Sequence, residues 1–352
     1  MNTRLRRLAG LFSVGISALL VAACGASGDA MAGQDAARES MSVATYPGLF
    51  LGMPLYAAQS EGFFEQRGLD VELVTVAGGP NQAAAVSSGS LDAFSFTVNS
   101  ILALRAQGED FRAIVNNQPR SQNLVFGSKE LVEACGTARD PYPAPIACLK
   151  GRTVGVPQLG GDIYWVLRSL LEDAGLAIED VDLVAVGASS NLPNAFQAKT
   201  IDYAVGVQPA PAMLDQSLDL TATLLDLSDD DVGDTFSPWV GQSFFALQSE
   251  LERSPEKFEL FQAAIGDATT WLQDPANTEK VSKLIQKELG VDAATANYLA
   301  DSKVGIFDTR MSCEGIEKVS KWAVSTGQVK ESDALPCAEL VWSGATDLLV
   351  DK

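Results

Sequence analysis

The chain repeats itself. GLDVELVTV followed by GSLDAFSF lines up with GLAIEDVDLVAV followed by KTIDYAVG, and the comparison sets Asp92 against Asp202. Leu69 lies 23 positions before Asp92 and Leu176 lies 26 before Asp202. Each copy belongs to a longer alternation. Over residues 42–118, SVATYP, LDVELVTV, LDAFSFT and FRAIVNN read as strands. Between them Pro54 opens a helix that ends near Gly62 or Gly68, Asn81 caps a short helix stopped by Gly89, and Asn99 caps ILALRAQ before Gly108. The same grammar returns as RTVGVP, a helix from about Asp162 to Ala174 stopped by Gly175, VDLVAVG, a short helix begun near Pro193, and IDYAVGV. Strands alternating with helices predict an α/β protein with a largely parallel sheet, and the duplication predicts two similar lobes. After Gly241, SFFALQ is one more strand and the rest is mainly helical. Ser254 and Pro255 start a helix whose Phe258, Phe261, Ile265, Ala268 and Leu272 form a core-facing stripe. Residues 277–289 and 313–326 also read as helices, and this tail is expected to pack back on the first lobe.

The N-terminus reads as an export signal. Arg4, Arg6 and Arg7 precede an uncharged apolar run from Leu8 to Ala23, which is shorter than the roughly 20 apolar residues a membrane span takes. Val21, Ala22 and Ala23 resemble the lipobox of bacterial lipoproteins, whose cysteine, here Cys24, is lipidated on sulfur and becomes the mature N-terminus. Small polar residues then form a flexible tether. The expected division is a signal peptide at 1–23, a tether at 24–41, lobe I at 42–122 with 244–352, and lobe II at 123–243, with hinges near 120–126 and 236–244.

Of 25 basic and 45 acidic residues, cleavage removes three arginines, so the formal charge moves from −20 to −23. Such a surface repels nucleic acid and anionic headgroups, and no nucleic-acid partner is expected. Cys135, Cys148, Cys313 and Cys337 are an even set in an exported chain, which favours two disulfides. Sequence proximity suggests Cys135 with Cys148 and Cys313 with Cys337, ahead of the two pairings that join distant segments. With no histidine and no CxxC spacing, zinc is a poor alternative, and the acidic run Asp229, Asp230, Asp231 with Asp234 lacks the ligand order of a calcium loop. The absence of histidine also removes the commonest general base and the Ser-His and Cys-His pairs. Neither a GxSxG, a P-loop nor a GxGxxG stretch occurs.

Ligands of open α/β sheets bind beyond the carboxyl ends of the strands. In the first lobe those ends carry Tyr46 to Met53 (Tyr46, Phe50, Leu51 and Met53 as candidates), then Ser95, Thr97 and Asn99, and Asn116 to Gln118 with Asn117 at the centre. In the second they carry Gln158, Gly160, Gly161, Asp162 and Gln208. Neutral hydrogen-bonding groups with interleaved aromatics suit one small polar molecule. In the helix after GVPQLGGD, Ile163, Val166, Leu167, Leu170, Leu171 and Ala174 define the buried face, whereas Tyr164, Trp165 and Arg168 lie off it. The Gly160-Gly161 pair lets a ligand approach backbone amides, with Tyr164 or Trp165 placed to stack on it. Asp162, at the helix N-cap, would occupy amides that otherwise hold an anion and would repel one. Trp239 is placed either to wall the cleft or to pack at the hinge.

GMPLYAAQSEGFFEQRGLDVELV, SSGSLDAFSF, LKGRTVGVPQLGGD and IDYAVGVQPAP, in that order and spacing, resemble the solute-binding lipoproteins of ABC importers in the family of nitrate, taurine and aliphatic sulfonate binders and thiamine-pyrimidine-precursor binders. The resemblance covers most of Ser42 to about Ser249. It implies a type II periplasmic-binding-protein fold, two lobes with mainly parallel sheets joined by two crossings. It also implies a pocket around Leu51 to Pro54, Ser95 to Asn99, Gly160 to Tyr164 and Gln208. The sulfonate and taurine branches often have Gly-Ser where this chain has Gly161-Asp162, which turns the expectation from a sulfonate toward a neutral or cationic nitrogen compound such as a pyrimidine. One branch contains a histidine-dependent pyrimidine synthase, an activity not expected of a chain without histidine. The function so implied is a monomeric, lipid-anchored, extracytoplasmic receptor that passes its solute to an ABC permease and ATPase complex, with no cofactor. The alternatives are an enzyme on the same fold acting on a pyrimidine-like ring and a ligand-sensing subunit of a signalling system.

Overall fold

The computed structural model describes residues 38–350 apart from 189–190 and 229–230. The expected signal segment, Cys24, most of the tether, Asp229 and Asp230 lie outside the described residues.

Ten strands are present among the described residues. β1 (Glu39–Thr45), β2 (Leu69–Thr75), β3 (Phe94–Phe96) and β4 (Phe111–Gln118) come first. They are followed by β5 (Leu124–Ser128), β6 (Thr153–Val156), β7 (Asp182–Ala185), β8 (Tyr203–Gly206), β9 (Thr221–Asp226) and β10 (Gln242–Leu247). β1 pairs parallel with β2, and a parallel bridge between Val43 and Ala93 links β1 to β3. β3 and β4 each run antiparallel to β10, so they are parallel to one another. The first lobe therefore reads β2-β1-β3-β10-β4. The second lobe reads β7-β6-β8-β5-β9, with β5 antiparallel to both neighbours and β6 parallel to both of its own.

The two orders are one topology used twice, and in each the fourth strand alone is reversed. That strand is the one by which the chain enters the lobe from the other, β5 after the first crossing and β10 after the return. All other strands of a lobe point their carboxyl ends the same way, which gathers loops and helix starts into a single cleft.

The duplication reaches individual hydrogen bonds. In the first lobe the Ser42 amide donates to Asp92 Oδ2 at 2.7 Å while the Asp92 amide donates to the Ser42 carbonyl at 2.9 Å. In the second the Thr153 amide donates to Asp202 Oδ2 at 3.0 Å while the Asp202 amide donates to the Thr153 carbonyl at 2.8 Å. Each aspartate, in the loop just before β3 or β8, ties that loop to the neighbouring strand, β1 or β6. Asp92 carries two additions: the Ser42 hydroxyl also donates to its Oδ2 at 3.1 Å, and Lys257 of the 255–273 helix forms an ion pair with it at 2.6 Å, with side chains only 21% (Asp92) and 9% (Lys257) exposed.

Several sequence expectations shift. β1 begins at Glu39, inside the expected tether, because Glu39 to Met41 already pair with Leu69 to Val71. Asn81 does not cap its helix, which spans Gly79–Ser87; its side-chain Nδ2 donates back to the Ala77 carbonyl instead. Asn99 is likewise inside the helix Val98–Arg105, after Thr97. β5 occupies much of the stretch expected as a hinge, and β9 was not anticipated. Phe258, Phe261, Ile265, Ala268 and Leu272 are all buried, and Phe261 packs on Phe64 and Phe244 of the first lobe. The tail also reaches the second lobe: Thr295 Oγ1 lies 2.7 Å from Ser217 Oγ, and Lys303 pairs with buried Asp226 at 3.0 Å. The disulfides Cys135–Cys148 and Cys313–Cys337 are both formed.

Because Asp92 balances a nearly buried ammonium, its loss leaves a charge without its partner, and Asp92→Ala is expected to cost about 3–5 kcal/mol. Asp202→Ala removes a charge-assisted bond to one backbone amide and is expected to cost about 1.5–3 kcal/mol. Equilibrium denaturation of the two variants checks the order; equal losses would contradict it.

Candidate ligand cavity between the lobes

The two crossings touch. Gly241 donates its amide to the Gln118 carbonyl at 2.8 Å, and a Cβ at Gly241 would stand 2.1 Å from the Arg120 carbonyl oxygen. Only glycine lets the outgoing and returning backbones lie this close. Directly in front of them is a cavity of about 380 Å³, within the roughly 300–1,000 Å³ of small-molecule sites.

The first lobe lines it with Tyr46, Leu49, Leu51, Gly79, Phe96, Thr97, Asn99 and Ser100, and the second with Pro157, Gln158, Gly161, Asp162, Ile163, Val166 and Val207. The crossings add Ser121, Gln122, Asn123, Trp239, Gly241 and Gln242, and the C-terminal tail adds Trp322. Of the residues expected from sequence, Tyr46, Leu51, Thr97, Asn99, Gln158, Gly161, Asp162 and Trp239 meet at this cavity.

The others lie behind it or elsewhere. Phe50 is buried against Phe307, and Met53 is in the core. Ser95 is buried, its hydroxyl donating to Gln242 Oε1 and its carbonyl accepting the Tyr46 hydroxyl at 2.9 Å. Asn117 donates to the Leu51 carbonyl at 2.9 Å. Gln208 turns back so that its Oε1 accepts the Ala212 amide, leaving Val207 at the cavity. Ser95 and Asn117 thus hold lining residues in place.

Gly160, Tyr164 and Trp165 line a separate hollow with Leu159, Ile178, Glu179, Val181 and Leu183. The expected stacking role fails because the helix Asp162–Asp173 turns the side bearing Asp162, Ile163 and Val166 to the cleft. That puts positions 164, 165 and 168, about 100° apart per residue, on another side. There the Trp165 indole donates to the Gly160 carbonyl at 3.2 Å and Arg168 stands 5.5 Å above its ring.

Asp162 differs from expectation as well. Gly161 is the N-cap and Asp162 the first helical residue, with no side-chain cap. Its Oδ1 instead accepts from Asn99 Nδ2 across the cleft at 2.6 Å, and Asn99 Nδ2 also meets Gln328 Oε1 at 2.9 Å. Among the described residues Asp162 is the one carboxylate lining the cavity, and neither lysine nor arginine lines it. Burial pushes its carboxyl above the ordinary aspartate value of 3.8, a shift that the Asn99 hydrogen bond opposes. Asn123 donates to Ser121 Oγ at 2.9 Å, but its own buried Oδ1 has no partner. The cavity therefore offers acceptors and negative charge between the rings of Tyr46, Phe96, Trp239 and Trp322. Gly79 makes room for one of them, since a Cβ there would fall 2.0 Å from the Phe96 ring.

Two lobes of matched topology, adjoining crossings and a cavity at the facing strand ends define the type II periplasmic-binding-protein fold. The chain belongs to the NMT1/THI5-like family, whose model matches residues 52–278, well over half of its length. It is 28% identical over 249 residues to a protein of Brucella abortus named "Putative binding protein", covering 70% of each chain. The periplasmic aliphatic sulphonate binding protein SsuA of Escherichia coli superposes with a TM-score of 0.65 at 17% identity, covering 86% of this chain and 97% of that one. The desulfurization enzyme DSZB superposes with a TM-score of 0.60 at 15% identity, covering 88% and 99%. The fold is thus shared by binding proteins and by an enzyme. Among the described residues no helix is long and apolar enough to cross a membrane.

A carboxyl whose pKa is raised by folding costs stability when it is ionised. The cost is absent below the ordinary value, grows as pH rises from there through the raised value, and is complete above it. Asp162→Asn is therefore expected to be more stable than the parent at pH 7, the gap closing as pH falls below 4. Thermal melts at several pH values check this, and a variant less stable at neutral pH would contradict it.

Proposed function

We propose that this chain is the extracytoplasmic solute-binding component of an ABC importer, held to the membrane by lipid on Cys24. In this reading residues 42–122 with 244–352 form one lobe, residues 123–243 form the other, and both close on a small organic solute. The solute is a neutral or cationic nitrogen compound of pyrimidine size. One observation carries the choice: among the described residues the cavity is lined by one carboxylate and by no basic residue. An anion brought out of water into such a site would lose hydration and meet a like charge. An amine or protonated ring nitrogen would instead donate a charge-assisted hydrogen bond to Asp162 and make favourable contact with aromatic faces.

Family membership supports this reading, as does the binding-protein name of the Brucella relative. Affinity would come from desolvation and a few placed hydrogen bonds, offset by the cost of ordering ligand and lobes. Among the described residues the cavity presents no histidine, cysteine or lysine to serve as nucleophile or base, which favours a receptor over a catalyst.

A thermal-shift and calorimetric screen of amines, aminopyrimidines, sulfonates and aromatic acids tests it. The expected result is stoichiometric binding of a nitrogen compound recovered unchanged, with stabilisation near 2.7 kcal/mol at about 100 times its Kd. Asp162→Asn should weaken a cationic hit about 10- to 100-fold, and affinity should fall as pH drops through the Asp162 pKa. Sulfonate binding with no response to nitrogen compounds would overturn the solute class, and turnover of the hit would overturn the receptor.

A further inference from the structure

Trp322 lies beyond the segment that the family model matches, on the C-terminal helix Cys313–Ser325. That helix packs on the first-lobe helix Val98–Arg105, and its start is tied to Cys337 by a disulfide. It also lies against the return crossing, where a Cβ at Gly315 would stand 3.0 Å from the Trp239 carbonyl carbon. The Trp322 indole lines the cavity and meets Trp239 edge-on at 5.2 Å. Its Nε1–H then crosses to the second lobe and donates to Ser169 Oγ at 2.8 Å.

Ser169 is 5% exposed and Trp322 6%. The serine hydroxyl sits on a helix whose other buried residues, Val166, Leu167, Leu170 and Leu171, are apolar. A buried hydroxyl and a buried indole N–H are costly without partners and nearly indifferent in water. Each finds the other only when the lobes are together; apart, water serves both. The bond therefore favours one arrangement of the lobes over the other, as a closure element must.

We propose that Trp322 is both a wall of the ligand cavity and the latch of lobe closure, through its hydrogen bond to Ser169. This rests on the reading of the cavity as a solute site, since occupancy would pack against the same ring that carries the latch. The latch itself makes a prediction that needs no solute.

Spin labels at exposed Ser88 and Gln197, one on each lobe, in a Cys24→Ser background with both disulfides intact, report the interlobe distance by double electron-electron resonance. The parent should show a short-distance population. Ser169→Ala and Trp322→Phe should each lower the closed-to-open ratio about five-fold, and the double variant no further, since both remove one bond. Unchanged distances in the single variants, additive losses in the double, or a parent with no short-distance population would each overturn the latch. Ser169→Ala deletes one oxygen and is the arm that decides if Trp322→Phe fails to fold, which circular dichroism shows. A failed compound screen leaves this result standing, and a failed latch leaves the screen standing.

Discussion

The chain passes between its lobes twice, and at Gly241 the two passages lie so close that no side chain fits between them. The rest of the architecture depends on that contact. Each passage runs on into the single reversed strand of the lobe it enters, β5 in one and β10 in the other. The remaining strands are thereby left parallel, with their carboxyl ends toward the crossings. A cleft at the facing strand ends follows from that connectivity. Its floor, made of Ser121, Gln122, Asn123, Trp239 and Gln242, is the crossing itself.

The chemistry of the cleft follows from what the strand ends carry. Neutral donors and acceptors come from both lobes, aromatic rings supply area, and the one carboxylate is held in place by Asn99 from the opposite lobe. Around them is a second layer that no ligand would touch. Ser95 holds the Tyr46 hydroxyl, and Asn117 holds the Leu51 carbonyl. Net acidity of the whole chain and acidity of the cavity are separate matters. The first keeps polyanions away, and the second bears on the charge of the proposed solute.

Much of this was legible in the sequence because it is local. Alternating strands and helices announced the α/β class, and the alignment of Asp92 with Asp202 corresponds to a shared hydrogen-bond pattern with Ser42 and Thr153. Strand ends named Tyr46, Thr97, Asn99, Gln158 and Asp162. Long-range placement was not legible. β5 and β9 are short strands whose pairing partners lie far along the chain. The cleft-facing side of the 162–173 helix depends on how the lobes meet, so Ile163 and Val166 line the cavity whereas Trp165 lines a separate hollow. Trp322 and Gln242 had no local signal, because a tryptophan on an amphipathic helix and a glutamine at a strand start usually serve packing alone. The expected export signal and Cys24 lie outside the described residues.

The central claim is that both lobes grip one guest at their facing strand ends. Hydrogen-deuterium exchange of the protein with and without a compound found to bind it tests this most directly. Protection should rise together at 95–100, 120–123, 158–166 and 239–242, which lie on both lobes and the crossings. Protection confined to one lobe, or to the hollow around Trp165 and Ile178, would contradict it.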